Sequence, residues 1–444
     1  MKYLLALIFF VFCSFAMQAQ KQWTLKECVD YALENNIQIK QSQINLEIAE
    51  QDNKTSFGSM LPSLNLSSNY DFRFGRSLDF TTYTFTNQQT QLSRINASTN
   101  VTLFNGFQLR RTLEQSKLNV LASKSDLQKA ADDVTLNVIA SYLQVLYGSE
   151  LAENANKRVE SLTKQKDKTA KLVEAGSLAK GSLLDVESQV ANEELNFINA
   201  DNALKSSLLT LVQLLEIKSV DGFEVIPPNV NLPNQEILSL TPEQIYAAAL
   251  NNQPEIKSSE YYLQSAEKGW MIAKAGRYPS LSLGGFSGTD YINTAKNTVT
   301  GEDISVSDQF DNNLNHSVGF SLSIPVFNGW FTSSNITKAK LGMQNAEYGH
   351  ELIKNSLYKS IQQAHSDAVA ALKKYQASEK SVSALRESFT YTEKKFNVGL
   401  LTSLEYLTAT NNLAIAESDL LQAKYDLIFR IKILEFYNGN PLTF

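Results

Sequence analysis

Two hydrophobic periods alternate along this chain, and each change of period happens twice. Leu64, Leu66, Tyr70, Phe72 and Phe74 fall on one side of an extended segment, with Asn65, Ser67, Asn69, Asp71 and Arg73 on the other. Ile95, Ala97, Thr99, Val101 and Leu103 alternate in the same way with Arg94, Asn96, Ser98, Asn100 and Thr102. Further on come Leu281 and Leu283, then Val318, Phe320, Leu322 and Ile324 set against Ser317, Gly319, Ser321 and Ser323. The pattern predicts four two-faced strands, near residues 62–74, 94–104, 279–288 and 316–325. Each is about ten residues long, the length of a tilted strand crossing a bilayer. A half-buried soluble sheet alternates identically; the aromatic strand ends and the uniformly polar second face favour a membrane barrel. Four strands cannot close alone, and an open edge in lipid costs several kcal/mol per unpaired backbone group. Two chains would give eight strands and a filled interior, whereas three give twelve and a lumen. Three is the expectation.

After Phe104-Asn105-Gly106 and again after Pro325-Val326-Phe327-Asn328-Gly329-Trp330, the period turns helical for about 70 residues, on the order of 100 Å. Ala131, Val138, Val145, Ala152 and Val159 recur every seven residues in the first tract. Leu357, Ile361, Ala364, Ala368, Tyr375 and Val382 keep close to the coiled-coil spacing in the second. Long helices are predicted at about 107–175 and 329–398, each stopped by a glycine, Gly176 or Gly399, suited to a left-handed cap. Shorter helices return at about 183–217 and 404–437. Ahead of each strand pair another helix opens, at Thr24 with Glu27 as a capping box, and at Thr241-Pro242.

The two halves are copies. Ala32-Leu33 matches Ala249-Leu250, Ile39-Lys40 matches Ile256-Lys257, and Pro62-Ser63-Leu64 matches Pro279-Ser280-Leu281, all at an offset of roughly 217 positions. The expected organisation is a first repeat at 20–217, an equatorial linker at 218–240, a second repeat at 241–437 and a tail at 438–444. Length changes confine themselves to 75–92 and 288–314, which reads both as loops. The hinge is duplicated because each repeat passes once from strand to helix. Pro325 ends strand pairing, Asn328-Gly329 supplies the turn, and Phe327 and Trp330 suit a membrane–water boundary, as Phe104, Asn105 and Gly106 do in the first copy.

Residues 1–19 read as a secretory signal peptide, with cleavage after Ala16 or Ala19. Its removal takes Cys13 and leaves Cys28 as the one cysteine, which excludes a disulfide-stapled domain. The net charge of −6 is spread over both signs, and the lysines of 157–171 read as a solvated helix side, so nucleic acid is not expected. No catalytic, cofactor-binding or metal-ligating arrangement is expected; His316, His350 and His365 have no ligand spacing. Two carboxylates stand out by position: Asp185 and Glu405, each shortly after a helix-turn glycine. Three chains would gather them into rings of like charge at a narrowing, the arrangement that sets cation preference in pores. A carboxylate near a helix start is also favourable on electrostatic grounds alone.

Leu61-Pro62-Ser63-Leu64 and Tyr278-Pro279-Ser280-Leu281, the Pro-Val-Phe-Asn-Gly hinge and Asn397-Val398-Gly399-Leu400-Leu401-Thr402 resemble the TolC-like outer-membrane efflux proteins, in order and over nearly all of the chain. The resemblance implies an α+β membrane protein of a Gram-negative outer membrane. It would be a homotrimeric channel-tunnel, a twelve-stranded barrel continuing into a long periplasmic α-helical barrel. It implies a passive, non-enzymatic exit duct for efflux or type I secretion, docked to a periplasmic adaptor and an inner-membrane transporter, proton-driven (RND) or ATP-driven (ABC). The cargo, whether drugs, metals or protein, is set by that transporter. The family's adaptor-contact pattern falls on Val398, Gly399, Leu400 and Thr402, and more loosely on Gly176, Ser177 and Leu178. Its acidic constriction falls on Glu405 and Asp185. Thr408, Leu401 and Phe396 depart from the polar latch of some members. The alternative is a periplasmic coiled-coil scaffold with a soluble sheet and no channel.

Overall fold

The computed structural model describes residues 21–78, 83–226 and 235–440. The signal peptide, the proline-bearing stretch at 227–234 and the tail from 441 lie outside the described residues. In chain order the first repeat carries β1 (Lys21–Trp23), α1 (Leu25–Asn35), α2 (Ile37–Gly58), β2 (Ser63–Arg73), β3 (Arg76–Leu78), β4 (Phe85–Asn87), β5 (Thr90–Phe104), α3 (Gln108–Glu174) and α4 (Lys180–Leu214). Then follow β6 (Phe223–Val225), a 3-10 turn (Glu236–Ser239), α5 (Pro242–Asn252) and α6 (Pro254–Ala275). The chain ends with β7 (Ser280–Ile292), α7 (Val306–Asn312), β8 (Asn315–Ser323), α8 (Phe331–Asn397) and α9 (Ser403–Tyr437). Both long helices, α3 and α8, have 67 residues. The chain divides into two compact units, one made of residues 46–123 and 258–350 and the other of the remainder.

In the second of these units, apolar burial follows the repeat. Cys28 and Ala32 of α1 join Val138, Tyr142 and Leu146 of α3, Leu211 of α4 and Ile428 of α9 in one core. Ile245 and Ala249 of α5 join Ile361 and Ala368 of α8 and Leu427, Ile431 and Leu434 of α9 in a second. Each fully buried leucine or isoleucine contributes about 1.5–3 kcal/mol. Ala32 and Ala249, a matched pair in the repeat, are both fully buried, and each carbonyl accepts the N–H of the residue that ends its helix, Asn36 or Gln253. Those two residues are extended, which splits what reads as one helix into α1 and α2, and into α5 and α6. Pro254 forces the break in the second copy. In the first, Asn36 makes it with its own side chain, accepting from the Gln38 N–H and donating to the Leu214 carbonyl. A two-stranded parallel ribbon, β1 with β6, was not foreseen in the sequence. The buried Tyr142 hydroxyl lies within hydrogen-bond reach of the Trp23 and Ile226 carbonyls at its end, and burial pushes that phenol well up.

The other unit holds a four-stranded antiparallel sheet in the order β2-β5-β7-β8. β5 and β7 come from different repeats, so the central pairing joins the two copies. Register pairs Leu64 with Thr99 and Leu66 with Ala97, and sets Leu283 between Val101 and Phe320, so one face gathers most of the apolar side chains, with Ser287 and His316 continuing the row of Leu66 and Ala97. On it Leu64, Leu66, Val318 and Phe320 are more than 70% exposed in the single chain, as a lipid-facing surface requires. The sheet does not close: β2 and β8 are both open edges. The 288–314 segment is not all loop. β7 runs on to Ile292, past the end of β8, and α7 covers the edge thus exposed. Gln309 Oε1 accepts from the Ile292 N–H at 2.9 Å, and the Asn313 amide donates to the Asp290 carbonyl at 2.7 Å. β8 stops at Ser323, so Pro325 lies just beyond the ladder.

Candidate docking and constriction site at the helix turns

Both long helices end in the same motif. Gly176 and Gly399 adopt φ of +70° and +77°. Ser177 N–H reaches back to the Leu172 carbonyl at 2.9 Å, and Leu400 N–H to the Lys395 carbonyl at 2.9 Å. These are Schellman closures, in which a left-handed residue satisfies carbonyls the helix leaves bare. The next helices start differently. α4 opens at Ala179, which offers no side-chain cap. α9 opens at Thr402, whose hydroxyl accepts from the Glu405 N–H at 3.3 Å, while Glu405 Oε2 accepts from the Thr402 N–H and hydroxyl, both at 2.8 Å. The donation from the Thr402 backbone, then from its hydroxyl, holds the Glu405 carboxyl below its ordinary range. The helix-start reading of Glu405 thus takes a specific form, a Thr-x-x-Glu capping box.

A recess of about 410 Å³ lies where the two turns meet. It brings Ser177, Leu178 and Asp185 together with Gly399, Leu401 and Thr402. Glu405, Gly176, Val398 and Leu400 do not line it. Val398, Leu400 and Leu404 stand 69–74% exposed around the second turn. Beneath, Phe396 stacks on Tyr406 with centroids 4.6 Å apart, in a small core with Leu162 and Val190. Phe396 thus serves an apolar contact, and a hydroxyl there would need its own partner. Thr408 donates to the Leu404 carbonyl within its own helix.

The strand-to-helix hinges also share a geometry. Gly106 and Phe107 have φ of +66° each, and Gly329 and Trp330 have +60° and +64°. The left-handed pair is therefore the glycine and the aromatic after it, a use of Phe107 and Trp330 that the sequence reading missed. Asn105 and Asn328 sit before the helix start, their Oδ1 atoms accepting from the Leu109 and Thr332 N–H groups at 3.3 and 3.4 Å. Phe327 and Trp330 are 79% and 77% exposed.

The outer membrane efflux protein model matches this chain twice, over residues 28–216 and 245–432. The chain belongs to that family. Outer membrane efflux proteins are non-enzymatic outer-membrane channels of efflux and type I secretion systems, trimeric and working with further pump components. The chain is 22% identical to the outer membrane efflux protein BepC of Brucella suis, over 93% of its own length and 84% of that protein's. It is 21% identical to the outer membrane protein TolC of Escherichia coli, over 89% and 78% of the two lengths. Its fold matches the CmeC outer membrane channel of Campylobacter jejuni with a TM-score of 0.80 at 19% identity, covering 95% of this chain and 87% of that one. As an efflux-family channel it has the channel-tunnel fold, with strands at the outer membrane and a helical extension into the periplasm. No helix among the described residues is long and apolar enough to cross a membrane.

Proposed function

We propose that the two helix turns of this channel are its periplasmic mouth and the docking site of a periplasmic adaptor. The supporting observation is the recess that gathers Ser177, Leu178, Gly399 and Thr402 beside the exposed Val398 and Leu400. Apolar side chains at a turn gain little from water, and an adaptor's helical tip would cover them. Asp185, inside the recess, and Glu405, on the capping turn, are the carboxylates that three chains would present as constriction rings. The adaptor in turn couples the channel to a proton-driven or ATP-driven inner-membrane transporter, which selects the cargo. The hinges at 104–107 and 325–330 mark the periplasmic border of the lipid. Gly399→Trp tests the docking site. It should abolish adaptor-dependent export while the trimer still assembles and conducts; undiminished export would place docking elsewhere.

A further inference from the structure

The register of the sheet puts one side chain at odds with its face. Phe286 pairs with Ser98 on β5 and with Ser317 on β8, and Ser98 pairs with Asn65 on β2. Phe286 is therefore on the polar face, at mid-length of β7. Along that strand the face reads Ser282, Gly284, Phe286, Gly288, and among the described strand residues in register on it no other aromatic occurs. The ring lies down over Gly288: a Cβ added there would meet the ring's Cζ at 2.6 Å. Only a glycine lets the ring rest against the wall in this way. One side of the ring thus covers bare backbone, and the residue remains 38% exposed. Its rung neighbours are small and neutral, so no charged side chain beside it on that rung competes for its open side.

We propose that three Phe286 rings, one from each chain, form an aromatic contact ring on the inner wall of the barrel, which holds aromatic and lipophilic cations in passage and leaves small inorganic ions unaffected. This rests on the chain being a trimeric channel whose polar face is the lumen. Twelve strands about 4.8 Å apart and tilted by roughly 40° give a backbone radius on the order of 12 Å. A ring lying flat on that wall leaves most of the bore open. The rings are a contact for cargo, not a gate.

The test is single-channel recording of the purified trimer in a planar bilayer, in potassium chloride, with tetraphenylphosphonium as the probe. A cation over an aromatic face gains enough to tighten binding by about 2- to 30-fold. Phe286→Ser should weaken tetraphenylphosphonium block by that factor with potassium conductance nearly unchanged. Phe286→Trp should retain the block, and Phe286→Leu, apolar without a π face, should lose most of it. Gly288→Ala, which forces the ring off the wall, should change block with residue 286 intact. Equal block across the series overturns the proposal. In Phe286→Cys the thiol should react with a membrane-impermeant reagent, the native Cys28 being fully buried and silent. A conducting trimer whose introduced cysteine stays unreactive also overturns it. If the wild-type protein itself does not conduct, the channel reading fails instead.

Discussion

Gly106 and Gly329 occupy equivalent places in the two hinges and have nearly the same backbone, yet alanine should cost very different amounts at the two. Both have φ near +60°, a region that charges an L-residue roughly 1–2 kcal/mol. At Gly329 nothing lies within 4 Å of an added Cβ, so that strain is the whole penalty. At Gly106 the new methyl would stand 2.8 Å from Tyr278 Cβ and 3.0 Å from the Ala275 carbonyl oxygen. Both obstacles are anchored to backbone and cannot swing aside, which adds overpacking of about 1–3 kcal/mol. Gly329→Ala should therefore lose about 1–2 kcal/mol per chain and Gly106→Ala about 2–5 kcal/mol. Guanidinium unfolding of the purified protein in detergent, followed by circular dichroism at matched concentrations, measures the order. Gly106→Asn should recover part of the dihedral strain and none of the clash. Equal losses at the two glycines, or a larger one at Gly329, would refute the steric argument.

Other consequences are as direct. Glu193 is 2% exposed and paired with Arg158 at 3.3 Å, so Glu193→Ala should destabilise by about 3–5 kcal/mol. The exposed Glu153–Lys157 pair is tighter, at 2.6 Å, yet Glu153→Ala should cost under about 1 kcal/mol in the same unfolding assay. Thr402→Ala removes the cap of α9 at a cost of about 1 kcal/mol and should let the Glu405 titration rise toward an ordinary carboxylate, followed by NMR. Because the folded Glu405 carboxyl is held low, its contribution to the cap is in place above the ordinary carboxylate range and is lost as pH falls through the lowered value. Glu405→Gln should weaken divalent-cation block of conductance if the carboxylates form the constriction; unchanged block would leave Glu405 as a capping residue alone.

Much of this architecture is written in the order of residues because each element has a strong local signature. Leu64 to Phe74 alternates except at Ser68, since one side meets lipid and the other water. The turn glycines are legible because their backbones need a left-handed residue. The missed parts depend on partners far away in sequence. The β1–β6 ribbon joins residues about 200 apart through two three-residue strands, too short to carry a pattern. α7 is held by the free edge of β7, and no periodicity in seven residues announces that. Phe286 escaped because Gly284 and Gly285 erase the alternation around it, and its face is known only once β5 fixes the register. At the candidate site the recess needed both turns in space, although each was visible alone. Thr402-x-x-Glu405 carries two meanings in one motif, and the sequence has no means to rank them.

The seam between β5 and β7 has a consequence for assembly. A single repeat brings two strands, so a twelve-stranded ring built from unfused repeats would need six independent molecules meeting along six seams. Fusion turns every second seam into a contact within one chain, whose effective concentration is fixed by covalent linkage and not by expression level. Ring closure then depends on the third power of protomer concentration in place of the sixth. A dilute outer-membrane protein that must avoid leaving open strand edges in lipid gains most from that change.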